Sequence, residues 1–250
     1  MSKTVQEWLE EDVEPVRDKP LGWLSQYHFF RDPARPTYSD DSYFFSPADG
    51  IILYQTEVHA DQPLVQIKGR PYSLRDAMRD PDYARPSLVI GIFMTFYDVH
   101  VNRIPYRGRL SYKLLDPIDS CNLPMLEVEH DLLTGLGASL QNAAYLHSNQ
   151  RMLNRVDSIE LGQAYYILQI ADYDVDSILP FQLKQNQPCE QGGRFSQIRY
   201  GSQVDLIVPL APRFEYQPTQ RTGSHVEAGI DTLIAIRERP SRGSREEPQP

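Results

Sequence analysis

The stretch IRYGSQVDLIVPL, from Ile198 to Leu210, places a Gly-Ser dipeptide inside an apolar run. The run has no turn signal after the dipeptide, so its pattern predicts one continuous strand with Ser202 in its middle. A glycine inside a strand usually marks a bulge or a close approach of another backbone. The hydroxyl of Ser202 would then lie next to the carbonyl of Gly201, which no side chain shields.

Two further segments supply the groups that a serine needs in order to react. Ser46 to Gly50 reads SPADG and contains Asp49, and Asp98 to Pro105 reads DVHVNRIP and contains His100. A serine hydroxyl is a poor nucleophile near neutral pH and needs a base, for which a histidine oriented by a carboxylate is well suited. The residues therefore predict Ser202 as nucleophile, His100 as base and Asp49 as the carboxylate.

One alternative for the carboxylate stays open at this point. Asp98 lies two residues before His100, and residues i and i+2 of a strand face the same side. Asp49 is also the type of residue that simply stabilises a turn. The other histidines stand in polar or irregular surroundings and are interpreted as structural or surface residues: His28, His59, His130, His147 and His225.

The position of the serine is unusual for a hydrolase that acts on external esters. No Gly-x-Ser-x-Gly motif is present, and no strand-to-helix turn carries the nucleophile. A serine within a strand is poorly exposed to an external acyl group, whereas the carbonyl of Gly201 is its direct neighbour. The sequence therefore favours attack on the chain itself, between Gly201 and Ser202, over a serine hydrolase.

Composition limits the class of protein. The chain has 250 residues, of which 40% are hydrophobic and 24% charged, as is typical of a soluble globular protein. Its formal net charge of −9 argues against nucleic-acid partners. A group of basic side chains near the predicted site would suit either a lipid phosphate or a solvated surface: Lys68, Arg70, Arg75, Arg103, Arg107 and Arg109.

Targeting signals are also absent from the sequence pattern. The N-terminal residues are acidic and lack the apolar region of a secretory signal, and the longest near-apolar run, about nine residues, is too short to span a bilayer. Cys121 and Cys189 form neither a metal-ligand spacing nor a disulfide framework. We therefore expect free thiols, no metal, and a cytoplasmic protein with peripheral membrane contact as an option.

The periodicity predicts an α+β fold, a single β-rich domain with short helices. A helical segment is expected over 1–21, a main domain over 22–236 and a disordered tail over 237–250. Ser73 is the predicted N-cap of a short helix, and the aromatic segment 22–31 is expected to pack on the core rather than to face a membrane. Residues 116–150 are expected to form an extended arm or a loop with one helical turn.

Several motifs, in this order, resemble the phosphatidylserine decarboxylase family over about Phe29 to Ile236. The central matches are SPADG around Asp49, DVHVNRIP around His100 and GSQVD from Gly201 to Asp205. Shorter matches complete the pattern: Phe29 to Pro33 (FFRDP), Asn149 to Arg151 (NQR), Gly193 to Phe195 (GRF) and Val226 to Gly229 (VEAG).

The resemblance implies a self-generated cofactor. The chain would split between Gly201 and Ser202 into fragments 1–201 and 202–250, which share core strands and stay together as a heterodimer. Residue 202 would become a pyruvoyl group, the electron acceptor in the decarboxylation of phosphatidylserine to phosphatidylethanolamine. The sequence departs from the family at two positions: Gln203 replaces the frequent Thr or Arg, and Arg103 replaces a second histidine, which leaves His100 to serve both reactions.

Two other functions remain compatible with these residues. The same chemistry could act on a soluble amino acid, for example an aromatic one, because the family resemblance also admits such relatives. Alternatively, a non-catalytic relative could retain the fold as a binding or scaffold protein. The presence of Asp49, His100 and Ser202 argues against the second alternative, and association into a homo-oligomer is left open.

Overall fold

Antiparallel sheets dominate the structure, a computed structural model that describes residues 2–119, 122–135, 137, 139–172, 178–199 and 201–240. The strands within these residues are β1 (Lys3–Thr4), β2 (Tyr43–Phe45), β3 (Gly50–Val58), β4 (Pro63–Ile67), β5 (Arg70–Ser73), β6 (Ser87–Met94), β7 (Val101–Arg103), β8 (Gly108–Leu115), β9 (Arg151–Ser158), β10 (Gln163–Ile170), β11 (Ile178–Pro180), β12 (Gln187–Cys189), β13 (Arg194–Ile198), β14 (Ser202–Pro209), β15 (Phe214–Pro218), β16 (Ser224–Val226) and β17 (Thr232–Glu238).

The helices are short. They are α1 (Val5–Trp8), α2 (Glu14–Arg17), α3 (Leu21–Trp23), α4 (Leu74–Met78), α5 (Leu126–Leu133) and α6 (Tyr145–Ser148). Two π-helical stretches, Leu9–Val13 and Leu24–His28, and a 3-10 turn, Leu140–Asn142, complete the helical segments of the described chain. The predicted α+β fold is thereby confirmed. No helix in the described parts of the chain combines the length and apolar character needed to cross a membrane.

A nine-stranded sheet forms the centre of the molecule. Its order is β1-β16-β3-β6-β14-β10-β9-β8-β12, and β14 therefore lies between β6 and β10. Every residue of β6 and β14 is buried, because separate hydrophobic clusters cover the two faces of the sheet. Burial on both faces explains why these strands read as nearly continuous apolar runs rather than as alternating ones.

The chain changes sheets immediately before Ser202. β13 belongs to a three-stranded sheet with β7 and β11, whereas β14 belongs to the nine-stranded sheet. The prediction that one strand runs through Ile198 to Leu210 with Ser202 in its middle is wrong, because β14 begins at Ser202. Gly201 therefore lies at a bend between two sheets, and its peptide bond to Ser202 immediately precedes β14.

The N-terminal segment is helical within the predicted range 1–21, but it is also paired to the central sheet through β1. Thr4 caps α1 through a capping box with Glu7, and helical structure continues to Arg17 before Pro20 separates it from α3. The side chain of Trp8 is buried and stacks on His225, with ring centroids 5.3 Å apart. This segment thus packs on the sheet that carries Ser202.

The aromatic segment 22–31 is divided between core and solvent. Phe29 is buried, as predicted, and so is Leu24. The prediction is wrong for Tyr27 and Phe30, whose relative exposures are 68% and 44%. Tyr27 lies in the π-helical stretch Leu24–His28, and Phe30 lies in the turn that follows it.

Two further expectations need correction. Residues 116–150 include α5 and α6 rather than one helical turn, because α5 buries Val128 and Leu132 at a spacing of four residues. The tail does not begin at 237, because β17 extends to Glu238 and pairs Arg237 with Glu215. Residues 241–250 lie outside the described part of the chain. The Ser73 cap of α4 is confirmed as a capping box with Asp76.

Candidate functional site

The Gly201-Ser202 bond is buried at the start of β14. Ser202 is fully buried and pairs with Met94, the last residue of β6. A methyl group on the Cα of Gly201 would lie only 3.1 Å from Asp172 Oδ2. A side chain at this position would crowd the Asp172 carboxylate, which would have to shift by a few tenths of an ångström. The absence of a side chain also leaves the Gly201 carbonyl open to its neighbour.

His100 lies in the loop between β6 and β7 and is fully buried. Its Nδ1 is 3.1 Å from the backbone oxygen of Asp98. A carbonyl can only accept, so Nδ1 carries the proton and Nε2 keeps the lone pair of a base. The imidazole packs on the ring of Phe29, with centroids 4.1 Å apart. A main-chain carbonyl and an aromatic ring thus fix the tautomer and orientation of His100.

Backbone pairing brings His100 and Ser202 to the same end of the sheet. The N–H of Ile198, at the end of β13, donates to the carbonyl of His100 at 3.1 Å. Met94, at the end of β6 that leads into the His100 loop, lies opposite Ser202 in the register. The bend that contains Gly201 is therefore held between the His100 loop and the central sheet.

Asp49 is placed by the SPADG turn, and within the described part of the chain its carboxylate accepts hydrogen bonds from Arg35 and Ala228. Oδ1 accepts hydrogen bonds from Arg35 Nη1 at 2.6 Å and from the N–H of Ala228 at 2.7 Å, and Oδ2 accepts one from Arg35 Nη2 at 2.6 Å. The side chains of Arg35 and Asp49 are only 6% and 5% exposed. Within the described residues, Asp49 is thus half of a buried bidentate ion pair, and its assignment to catalysis stays a prediction.

The alternative carboxylate, Asp98, is directed at His225. It accepts hydrogen bonds from the N–H and Oγ1 of Thr95 at 2.7 and 2.8 Å and lies 2.7 Å from His225 Nε2. Burial opposes the charge of Asp98, but His225 and Thr95 outweigh it and lower the pKa of this carboxyl. Burial likewise opposes the charge of His225, while Asp98 raises the pKa of the imidazole above its ordinary value. The two form a buried ion pair, and only the carbonyl of Asp98 serves His100.

The segment from Phe29 to Arg35 was not predicted to take part in the site. Phe29 covers the imidazole of His100, and Arg31 Nη2 donates to the carbonyl of Tyr97 at 2.6 Å. Arg35 then binds Asp49 and donates to the carbonyl of Ala228 at 2.8 Å. The FFRDP motif at Phe29 to Pro33 is the sequence signal that points to this segment. This segment fastens the His100 loop to the Asp49 turn.

Two acidic residues beside Gly201 were missed entirely. Glu129, on α5, accepts a hydrogen bond from the N–H of Phe96 through Oε1 at 2.7 Å. Its Oε2 would lie 3.8 Å from a methyl group on Gly201. Burial raises the pKa of Glu129 to about 7, and the charges of Asp172 and Asp98 act in the same direction. Asp172 accepts a hydrogen bond from the N–H of Met125 at 2.9 Å.

Gln203 and Arg103, the two residues that depart from the family pattern, both form hydrogen bonds within the fold. Gln203 points away from the Ser202 face, where it accepts from Tyr145 Oη at 2.8 Å and donates to Asp205 at 2.7 Å. Arg103 donates to Asp32 and to the carbonyl of Gly192. Both side chains are thus occupied by contacts within the fold.

Several of the basic residues considered as a phosphate site also bind other residues of the fold. Arg107 pairs with Asp41 and Glu160, and Arg109 binds Asn186. These contacts favour the interpretation of a solvated, ion-paired surface over a phosphate-binding cluster.

Comparison with known proteins agrees with this arrangement. The family model described as phosphatidylserine decarboxylase matches residues 25–234. A phosphatidylserine decarboxylase proenzyme of Erythrobacter litoralis is 31% identical over 226 residues, covering 90% of this chain and 77% of the relative. One from Novosphingobium aromaticivorans is also 31% identical, with the same coverage. A putative archaetidylserine decarboxylase proenzyme of Methanocaldococcus jannaschii is 29% identical and is covered over 90% of its length.

These matches define an enzyme of the decarboxylase class, a carboxy-lyase. The chain belongs to the phosphatidylserine decarboxylase family, as the motifs in its sequence predict.

Proposed function

We propose that this protein cleaves itself between Gly201 and Ser202, carries a pyruvoyl group at residue 202 and decarboxylates phosphatidylserine to phosphatidylethanolamine. The observation that carries the proposal is the buried Gly-Ser bond at a bend between two sheets, next to a histidine loop in which a main-chain carbonyl holds Nδ1 of His100. The names of the relatives support it, because they describe proenzymes and substrates with a serine headgroup.

Self-cleavage begins with a proton transfer. Nε2 of His100 takes the proton of Ser202 Oγ, and the oxygen attacks the carbonyl carbon of Gly201, so that the amide becomes an ester. Residue 202 then loses its Cα proton while its Cβ–O bond breaks, so that Gly201 leaves as a carboxylate and fragments 1–201 and 202–250 separate. The dehydroalanine left at residue 202 takes up water and loses ammonia, which gives the pyruvoyl group. The fragments would remain together because β14, in the second fragment, lies between β6 and β10 of the first.

The residues present fit a pyruvoyl group. Ser202 is fully buried, which keeps water from the reactive carbonyl, and Gly201 has no side chain to obstruct a substrate. When formed, the group supplies the electron-accepting carbonyl that decarboxylation of an amine substrate requires. His100 remains beside it as the candidate group that moves a proton.

Asp49 is proposed as a positioning residue in this scheme. Its contacts reach His100 through Arg35, which lies six residues after the ring of Phe29 that covers the imidazole. Loss of the Asp49 carboxylate would release Arg35 and loosen the cover over His100.

The first test is the mass of the purified wild-type protein under denaturing conditions. We expect two fragments split at Gly201/Ser202, the smaller one with a blocked N-terminus that shifts in mass after borohydride reduction. Carbon dioxide release is then measured with phosphatidylserine vesicles and with free serine or tyrosine. Turnover of free amino acids alone would favour a soluble-substrate decarboxylase, and a permanently uncut, inactive chain would favour a non-catalytic binding protein.

A phospholipid substrate requires contact with a membrane surface, and one exposed apolar patch lies near the site. We define the α3 patch as Leu21, Trp23, Tyr27 and Phe30, with relative exposures of 74%, 39%, 68% and 44%. Phe30 contacts Phe29 edge-on, with centroids 5.1 Å apart, and Phe29 covers His100. Aromatic side chains with one apolar and one wet side suit a lipid interface. We propose the α3 patch as the face that meets the bilayer.

Replacement of Trp23 and Tyr27 by serine should weaken binding to phosphatidylserine-containing vesicles about tenfold or more, measured by co-sedimentation, because the apolar area available to the bilayer is lost. Self-cleavage should continue, since neither side chain reaches Ser202. Ile159→Ser is the matched control: Ile159 is 86% exposed but lies in the turn between β9 and β10. Unchanged vesicle binding by the double variant would remove the α3 patch from the proposal.

A further inference from the structure

Glu129 lies beside Gly201 although nothing in the reaction scheme above uses it. α5 carries its side chain toward Gly201, where Oε2 would be 3.8 Å from a methyl group on that glycine. Oε1 accepts from the N–H of Phe96 at 2.7 Å. One carboxyl oxygen is therefore anchored to the loop that carries His100, while the other lies on the side of Gly201.

The surroundings of Glu129 favour the protonated carboxyl. Burial is the main cause that raises the pKa of Glu129 to about 7, against the lowering effect of the Phe96 N–H. Asp172, which follows β10, and Asp98, in the loop after β6, add negative charge from two other elements. Tyr97 also faces Glu129 from the His100 loop, where burial raises the pKa of its hydroxyl. No cation among the described residues offsets these effects on Glu129.

The rearrangement at Gly201-Ser202 needs an acid as well as a base. As Ser202 Oγ bonds to the Gly201 carbon, the bond from that carbon to the Ser202 nitrogen must break, and its electron pair goes to the nitrogen. An amide nitrogen leaves only when it gains a proton. An imidazolium can return the hydroxyl proton to the leaving nitrogen, as the histidine of a Ser-His-Asp triad does. A protonated carboxyl beside Gly201 is a separate proton source, which would free His100 from this second transfer.

We propose that Glu129 is the general acid of self-cleavage, the residue that protonates the Ser202 nitrogen as the ester forms. The step leaves Glu129 as a carboxylate and His100 as an imidazolium, so that charge balances across the site. Asp172 has a different role: its charge, 3.1 Å from the methyl position on Gly201, helps to keep Glu129 protonated. This inference rests on the proposed self-cleavage.

The test follows cleavage during cell-free synthesis, with pulse-labelled chains sampled over time. Glu129→Gln keeps an oxygen for the Phe96 N–H but has no proton to give, and we expect cleavage to slow by on the order of 10²-fold. Its uncut chain should resist hydroxylamine, because an amide rather than an ester accumulates. Glu127→Gln, on the exposed face of the same helix, should cleave at the wild-type rate.

The pH dependence gives a readout that a structural role would not produce. Wild-type cleavage should decline as the pH rises through about 7, because Glu129 loses its proton. Asp172→Asn removes a negative neighbour and lowers the pKa of Glu129, so that the decline should begin at lower pH. If the wild type cleaves and Glu129→Gln cleaves at the same rate, this inference is overturned while the proposed function stands. A wild-type chain that never cleaves would instead overturn the proposed function.

Discussion

Ser202→Ala is expected to leave every molecule as a single uncut chain. The substitution removes the only atom proposed to attack Gly201, whereas the backbone pairing of β14 with β6 and β10 does not involve the hydroxyl. Ser202 is fully buried and alanine is smaller, so the fold has no new atom to accommodate. Mass measurement under denaturing conditions should show the full-length chain alone, and decarboxylation should be undetectable because residue 202 cannot become pyruvoyl.

A second Gly-Ser pair in the same chain provides a matched control. Ser224 follows Gly223 and opens β16 as Ser202 opens β14, but its partner in the sheet is Thr4. Ser224→Ala should therefore be processed like the wild type. Fragments from Ser202→Ala with the wild-type masses would refute Ser202 as the nucleophile.

The central strands could be predicted from sequence because burial on both faces produces uninterrupted apolar runs. β6 and β14 are of this kind, and the apolar run from Ile198 to Leu210 predicts most of β14. The start of β14 was misplaced because Ile198 and Ser202 belong to different sheets. A sequence pattern records burial, which continues through the bend, but it does not record a change of pairing partner.

Only those parts of the site that lie in recognisable local motifs could be predicted from the sequence. The Gly201-Ser202 pair and His100 stand in recognisable segments, and the structure brings these segments together. Glu129 could not be found, because the helix that presents it was itself not predicted. The sequence identifies His225 only as a structural or surface residue. Its partner Asp98 is 127 positions away in the chain, so local sequence gives no sign of this ion pair.

The ion pair of Arg35 and Asp49 contributes to stability and also holds the segment that covers His100. Both charges are buried, and the carboxylate accepts both guanidinium N–H groups at 2.6 Å. Removal of one partner from such a pair leaves an uncompensated buried charge, which typically costs about 3–5 kcal/mol. A slow variant at Asp49 therefore has two explanations, a lost catalytic charge or a loosened Phe29–Arg35 segment.

We expect Asp49→Asn to lower the free energy of unfolding by about 3–5 kcal/mol and to slow self-cleavage strongly. Arg35 loses its close, buried anion and keeps only the half-exposed Glu227 at 4.0 Å, and the cover over His100 loosens. Chemical denaturation of the variant in the uncut Ser202→Ala background measures the first effect, and pulse-labelled synthesis measures the second. Asp157→Asn is the control, since its ion pair with Arg155 is about half exposed and should contribute no more than about 1 kcal/mol.

The double variant Arg35→Gln with Asp49→Asn separates the two explanations. Neutral amides at both positions can bond to each other without a buried charge, so stability should largely return. If Asp49 acts by positioning, cleavage should return with it, because Phe29 again covers an imidazole whose Nδ1 is held by the Asp98 carbonyl. A stable double variant that still cannot cleave would contradict this role. It would show that His100 needs the negative charge of Asp49 itself in order to act.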